Sequence, residues 1–277
     1  MSKNSKRTIT DAVSSSQLTA KDGRTIPYVL SGPSGATPTR LYVLLHGLGE
    51  NHNEYADFYQ RLAARLADAG HAVLRIDFPA HGLSSAPPET FTLLNCIADA
   101  ITATQFGLSV LHDASLHVFG TSFGAGPAVV TGSVFQELLG TVTLLAPAIS
   151  YRELYLEPRH PDRAAKYGDF LRDALLRDAT IPIMPGVAFN WRNALEFAVA
   201  DVGPHLRRVE SRTAIIHGDS DSIVPVDLSR AIARSFPSIA LTVVPAMEHG
   251  FTDRDDDAGV GEKSRSNFEL ILRTALR

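Results

Sequence analysis

The segment GTSFG, Gly120 to Gly124, carries a serine with a glycine two residues before it and another two residues after it. It ends the apolar run LHVFG (Leu116 to Gly120) and opens a helical run, FGAGPAVV. That is the strand, turn, helix context in which a nucleophile elbow forms. On so sharp a turn the serine takes a strained backbone, and side chains at 120 and 124 would collide with strand and helix, so glycine is selected there. Ser122 is thereby thrust toward solvent, although the same glycines would serve a plain turn. A serine hydroxyl is a poor nucleophile near neutral pH and needs a histidine base and a carboxylate to orient that base. HGDSDSIVP (His217 to Pro225) follows the run TAII, and PAMEHGF (Pro245 to Phe251) follows LTVV. Both put their polar residues at a strand's carboxyl end, on the edge that carries Ser122. Serine, aspartate, histidine is also the chain order of hydrolases built on this elbow. Phosphate-loop readings fail: no Lys followed by Ser or Thr comes after the glycines, and Gly120, Gly124 and Gly126 do not make GxGxxG.

Residues so far apart in the chain need a scaffold that returns them to one edge. Six short apolar runs supply it: LYVLL (41–45), AVLRI (72–76), LHVFG (116–120), TVTLLA (141–146), TAIIHG (213–218) and LTVVP (241–245). They read as strands buried on both faces, hence parallel. The stretches between them have helical spacing. In Tyr55 to Ala69 the residues Phe58, Leu62 and Leu66 recur every fourth position, and Gly70 follows as a stop. Strand alternating with helix predicts an open α/β sheet, whose ligands sit outside the carboxyl ends of the strands. Between Ala146 and Arg212 roughly 65 residues lack a buried strand, far more than the usual 2 to 6 of such a connection. Helical spacing there covers Arg163 to Arg177 and Trp191 to Val199, with IPIMPG (181–186) between them, and predicts a lid. The expected division is a loose polar arm at 1–16, a core at 17–147 and 206–277, and a helical cap at 148–205. The charge run DRDDD (253–257) reads as a solvated loop.

From Leu41 to beyond Met247 the chain resembles the α/β-hydrolase superfamily, in particular its serine esterase, lipase and thioesterase-like members with a helical lid. The resemblance implies a mostly parallel twisted sheet of about eight strands, helices on both faces, and a cap inserted after strand six. Carried over residue by residue, it makes Ser122 the nucleophile and His249 the base. The acid falls in GDSDSIVP, which fits the family pattern GxxDxxVP with Gly218, Asp221, Val224 and Pro225. Asp221 is therefore the expected acid, and Asp219 is expected to bond amides of its own turn. His217, His46 and His81 lie in loops where the family places no base. LLHGLGE (44–50) matches the family's HG motif, which implies the backbone N–H groups of Leu48 and Phe123 as oxyanion donors. RIDFPAHGLS (75–84) is similar to the family's DxxGxGxS segment, with Asp77 and His81 fixing loops.

Tyr151, Tyr155, Met184, Phe189 and Trp191 of the lid are expected to form an apolar, partly aromatic pocket, if they do not simply pack the lid on the sheet. Such a pocket favours carboxylic esters or thioesters of uncharged acids over charged peptides. The expected activity is ester hydrolysis through an acyl-enzyme. An acyl thioesterase or acyltransferase would use the same residues, and a ligand-binding member without catalysis is the reading from another class. With 277 residues, 44% apolar and 20% charged, the composition is that of a soluble globular protein. A net charge of −4 gives no basic field for a nucleic-acid partner, and no run of 18 apolar residues predicts a membrane span. The single cysteine, Cys96, forms no internal disulfide, and MSKNSKRTIT lacks the apolar stretch of a secretion signal, so a cytoplasmic protein is expected. None of the ten histidines stands in HExxH or at ligand spacing from the cysteine, so neither a metal nor a cofactor is expected. The expected partner is a small-molecule ester or thioester.

Overall fold

A computed structural model describes residues 16–33, 37–252 and 261–277. Most of the expected arm and the DRDDD run lie outside the described residues. The chain begins with β1 (Ser16–Thr19) and β2 (Thr25–Ser31), then β3 (Arg40–Leu45), α1 (Phe58–Asp68), β4 (Ala72–Ile76), α2 (Leu93–Val110) and β5 (Ser115–Thr121). α3 (Ala125–Val134) and β6 (Leu139–Leu145) complete the part before the insertion. The sheet has eight strands. Its last two strands are β9 (Thr213–Gly218) and β10 (Ala240–Val244), after an insertion that holds a separate two-stranded hairpin, and its order is β1-β2-β4-β3-β5-β6-β9-β10. β1 with β2 and β2 with β4 pair antiparallel, and every other neighbouring pair is parallel. The six runs read from the sequence are the six parallel strands. β1 and β2 have mixed polar and apolar faces rather than a continuous apolar run, and so carried no such signal.

Two cores flank the sheet. On one face α1 and α9 (Glu262–Leu276) pack Phe58, Leu62, Leu66, Phe268 and Ile271 against Tyr42, Leu44 and Phe119. On the other, α2, α3 and α8 (Val226–Ser235) cover Leu41, Val43, Leu74 and Val118. α2 is long and apolar, with a mean hydropathy of 1.2, because it lies in this core. At Gly107 it approaches so closely that a Cβ would meet Leu41 at 2.7 Å.

The insertion between β6 and β9 begins with a single π-helical turn, Arg152–Leu156. α4 (Pro161–Tyr167), α5 (Phe170–Arg177), the hairpin β7 (Ile181–Met184) with β8 (Val187–Phe189), and α6 (Trp191–Val199) follow. α7 (Gly203–Val209) returns the chain to α3. The helix expected over 163–177 is two helices, broken where Gly168, a poor helix former, closes the first. IPIMPG is a hairpin strand and turn rather than a spacer, and Gly186 supplies the positive φ of +80° that the turn requires.

Candidate active site

At the end of β5 the chain reverses into α3 through Ser122, whose φ of 49° lies in the left-handed region. A β-carbon at Gly120 would lie 2.5 Å from the Gly124 carbonyl, and one at Gly124 would strike the Leu45 carbonyl of β3. The two glycines of GTSFG are therefore a steric requirement of the turn. The Ser122 carbonyl accepts the Ala148 N–H at 3.0 Å, which ties the elbow to the end of β6. Pro127 sits in the first turn of α3, where its missing N–H costs the helix no bond.

Asp221 follows β9 and His249 follows β10, two adjacent parallel strands. Their loops meet because Gly218 lacks a side chain: a β-carbon there would overlap the Met247 carbonyl. Asp219 bonds across this junction, accepting the Ala246 N–H at 2.7 Å, instead of capping only its own turn. His249 Nδ1 donates to Asp221 Oδ2 at 2.7 Å, and Nε2 lies 3.0 Å from Ser122 Oγ as the acceptor of its proton. Asp221 Oδ1 accepts the N–H groups of Ile223 and Val224, each at 2.8 Å. Its Oδ2 also receives Nε2–H of His217 at 3.1 Å. Four donors thus fill the four lone-pair sites of an ionised carboxylate. Burial by itself would raise the Asp221 pKa, but the bonds from His217 and His249 outweigh it and hold this carboxyl well below its ordinary value. Such an arrangement can take the Ser122 proton onto His249 and hold the resulting cation against Asp221.

Leu48 and Ser122 border one cavity of about 370 Å³, with Glu50, Glu54, Tyr55, Ser222, Glu248 and Thr252 also in its wall. The Leu48 N–H donates to no group among the described residues. The Phe123 N–H belongs to the first turn of the helical segment, where amides have no intrahelical acceptor. Burial pushes the Glu50 carboxyl up, and takes Glu54 up to about 7.

The five lid residues expected to line the pocket do not reach it. Tyr151, Tyr155 and Phe189 are buried in an aromatic cluster with Phe197 that packs the cap onto Phe91 and Phe123. Met184 and Trp191 line a different hollow, over the β7–β8 hairpin. Three stacked or edge-on aromatic rings bury more apolar surface by packing on one another than by facing a polar cleft. The cavity beside Ser122 is consequently walled by carboxyl and hydroxyl groups together with Leu48 and Tyr55, and not by the aromatic residues of the insertion. Asp77 bridges two loops, accepting N–H groups from His52 at 2.7 Å and Leu83 at 2.9 Å.

Fold and site together define an α/β hydrolase: the sequence model of the alpha/beta hydrolase family matches residues 42–260, and the chain belongs to that family. Among characterised relatives it is similar to the 2-hydroxy-6-oxononadienedioate/2-hydroxy-6-oxononatrienedioate hydrolase of Escherichia coli K12, at 24% identity over 67% of this chain and 72% of that protein. Among solved structures it is similar to Est1E of Butyrivibrio proteoclasticus with ferulic acid bound, with a TM-score of 0.72 at 18% identity over 92% of this chain and 98% of that one. An esterase from Exiguobacterium antarcticum superposes with a TM-score of 0.63 at 17% identity, over 94% of this chain and 99% of that one.

Sequence reasoning passed over Glu54 and gave His217 no part in the site. Neither stands in a periodic pattern, and their importance lies in contacts made only on folding.

Proposed function

We propose that the chain is a serine hydrolase that cleaves a carboxylic ester through an acyl-enzyme. The observation that carries this reading is the continuous line of bonds from Ser122 Oγ to His249 at 3.0 Å and from His249 to Asp221 at 2.7 Å, opening on a cavity. In this mechanism His249 removes the Ser122 proton as the oxygen attacks the acyl carbonyl, and the N–H groups of Leu48 and Phe123 hold the oxyanion. His249 then protonates the leaving alkoxide, and water repeats the sequence to release the acid. With Glu50, Glu54 and Glu248 in the wall and no Lys or Arg among the described residues bordering the cavity, the substrate is an uncharged ester. A dianion of the kind named for the Escherichia coli relative, or a polyanionic thioester, has no countercharge among those described residues.

The test is covalent labelling by a fluorophosphonate together with hydrolysis of short p-nitrophenyl esters. The wild type labels at Ser122 and hydrolyses neutral esters faster than a succinyl half-ester. Ser122→Ala abolishes both reactions without unfolding the chain. A folded wild type that neither labels nor hydrolyses any ester sinks the reading and favours a ligand-binding protein.

A further inference from the structure

Four successive amides in the loop after β3 meet different fates. Gly47 N–H donates to Glu54 Oε2 at 2.8 Å, Gly49 N–H donates to His81 Nε2 at 3.2 Å, and Glu50 N–H closes the turn on the Gly47 carbonyl at 3.3 Å. Only the Leu48 N–H, among the described residues of this turn, is left without an acceptor, and Leu48 borders the cavity that contains Ser122. The amides on either side are tied to protein acceptors, whereas the N–H of half-buried Leu48 stays open to a ligand atom in that cavity.

We propose that Glu54 and His81 are positioning residues that clamp the two amides flanking Leu48 and so hold its N–H as an oxyanion donor, an inference that rests on the serine hydrolase reading. The turn's own bond, from Glu50 N–H to the Gly47 carbonyl, is long at 3.3 Å, and two of its residues are glycine, Gly49 with a φ of +85°, so contacts from outside are needed to restrict its geometry. Both clamps are themselves anchored. His81 is 1% exposed and donates Nδ1–H to the Pro79 carbonyl at 2.9 Å, which leaves Nε2 as the acceptor that Gly49 requires. Glu54 is 5% exposed, and its backbone at φ 62° is secured by donation to the Asn51 carbonyl at 2.8 Å. A left-handed, non-glycine residue is retained where the surrounding structure fixes it, and here it delivers the carboxylate to Gly47. Only transition-state interactions raise kcat, so a loosened clamp slows the chemical step and leaves ground-state binding intact.

The experiment compares Glu54→Leu and His81→Leu, which remove the acceptor, with Glu54→Gln and His81→Gln, which return an oxygen near the same place. Each is assayed for kcat and KM on p-nitrophenyl acetate, and for affinity toward a trifluoromethyl ketone, whose serine adduct carries an oxyanion. Deleting one oxyanion donor costs about 100- to 1000-fold in kcat, so a displaced donor costs about 10- to 100-fold. The Leu variants are expected to lose that factor in kcat and in ketone affinity, with KM within about twofold, and the Gln variants to recover most of it. If a Leu variant does not fold, Glu54→Asp, which withdraws the carboxylate from Gly47 by about one bond length, is expected to show the same loss confined to kcat. Folded Leu or Asp variants with wild-type kcat overturn the clamp, as do Gln variants as slow as the Leu ones. A wild type inert to esters and to fluorophosphonate overturns the serine hydrolase reading itself, which distinguishes the two failures.

Discussion

His217 and His249 donate to the same oxygen of Asp221, from 3.1 and 2.7 Å. The first ring is fully buried, donates Nε2–H toward the carboxylate and accepts the Ser229 hydroxyl on Nδ1 at 2.7 Å. The second is 22% exposed and faces Ser122. One imidazole therefore fixes the carboxylate that orients the other. Asp221→Asn presents an amide N–H where both rings donate and reverses the tautomer that His249 needs, so kcat should fall by about 10⁴-fold. His217→Leu keeps the carboxylate and its bond to His249, so its kcat should fall only about tenfold, with about 1–3 kcal/mol of stability lost through the unpaired Ser229 and Val224 groups. Steady-state kinetics on a neutral ester checks both. Equal losses in the two variants would show that His217, and not only Asp221, acts on the reacting atoms.

The elbow makes a separate prediction about folding. Because a β-carbon at Gly124 would press on the carbonyls of Leu45 and His46, Gly124→Ala must push α3 away from β3. A shift of packed backbone is more costly than a rotamer change, and a loss of more than about 3 kcal/mol is expected. Gly49→Ala meets no neighbouring atom but must adopt φ +85°, so it should cost about 1–2 kcal/mol. Thermal melts of the two variants give the order, and a Gly124→Ala protein as stable as the parent would refute the steric account.

Those glycines explain why so much of the site could be read before folding. A strand buried on both faces writes a continuous apolar run, and an elbow admits only glycine at two positions, so β3, β4, β5, β6, β9 and β10 and residues 120–124 leave direct marks in the sequence. The positions of Asp221 and His249 follow from the strand ends. The pocket left no such mark. Aromatic residues in an insertion satisfy a cap interface as well as a ligand, and their burial is decided by how α6 and the π-helical turn meet Phe123, which spacing does not encode. His81 was legible as a loop-fixing residue but not which loop it fixes, and Glu54 was silent: each acts by accepting a backbone N–H, and any amide could have been the donor.

The aromatic cluster therefore belongs to stability. Phe197 stacks on Tyr151 and Tyr155 and meets Phe189 edge-on at 5.1 Å, all four buried. Phe197→Ala should cost about 3–5 kcal/mol, read from denaturant unfolding, while KM for a short neutral ester changes by less than about threefold because Phe197 does not border the cavity. Tyr55→Ala, at the cavity wall, should reverse the pattern, with little effect on stability and a clear rise in KM. A large KM effect from Phe197 with none from Tyr55 would return substrate binding to the cap.

Glu54 adds a pH dependence whose sign can be worked out. Burial raises its pKa from 4.5 to about 7, so between those values the folded chain holds a proton that the unfolded chain has released. Stability falls wherever the folded state binds more protons and pH rises, so this group weakens the fold progressively from about pH 4.5 to 7, by about 3 kcal/mol in all. His46 and His117 act in the opposite direction. Burial lowers both, His117 to about 4, and each favours the fold more as pH rises toward 6.5. A melting curve of the wild type alone therefore mixes opposing contributions. Glu54→Gln removes one contribution and leaves the two histidines in both proteins, so the difference in Tm between variant and parent isolates the carboxyl. That difference should shift in favour of Glu54→Gln by roughly 5–10 °C between pH 4.5 and 8. A difference that stays flat over this range would mean that Glu54 is ionised in the folded protein throughout, and that the Gly47 amide is held by a full negative charge.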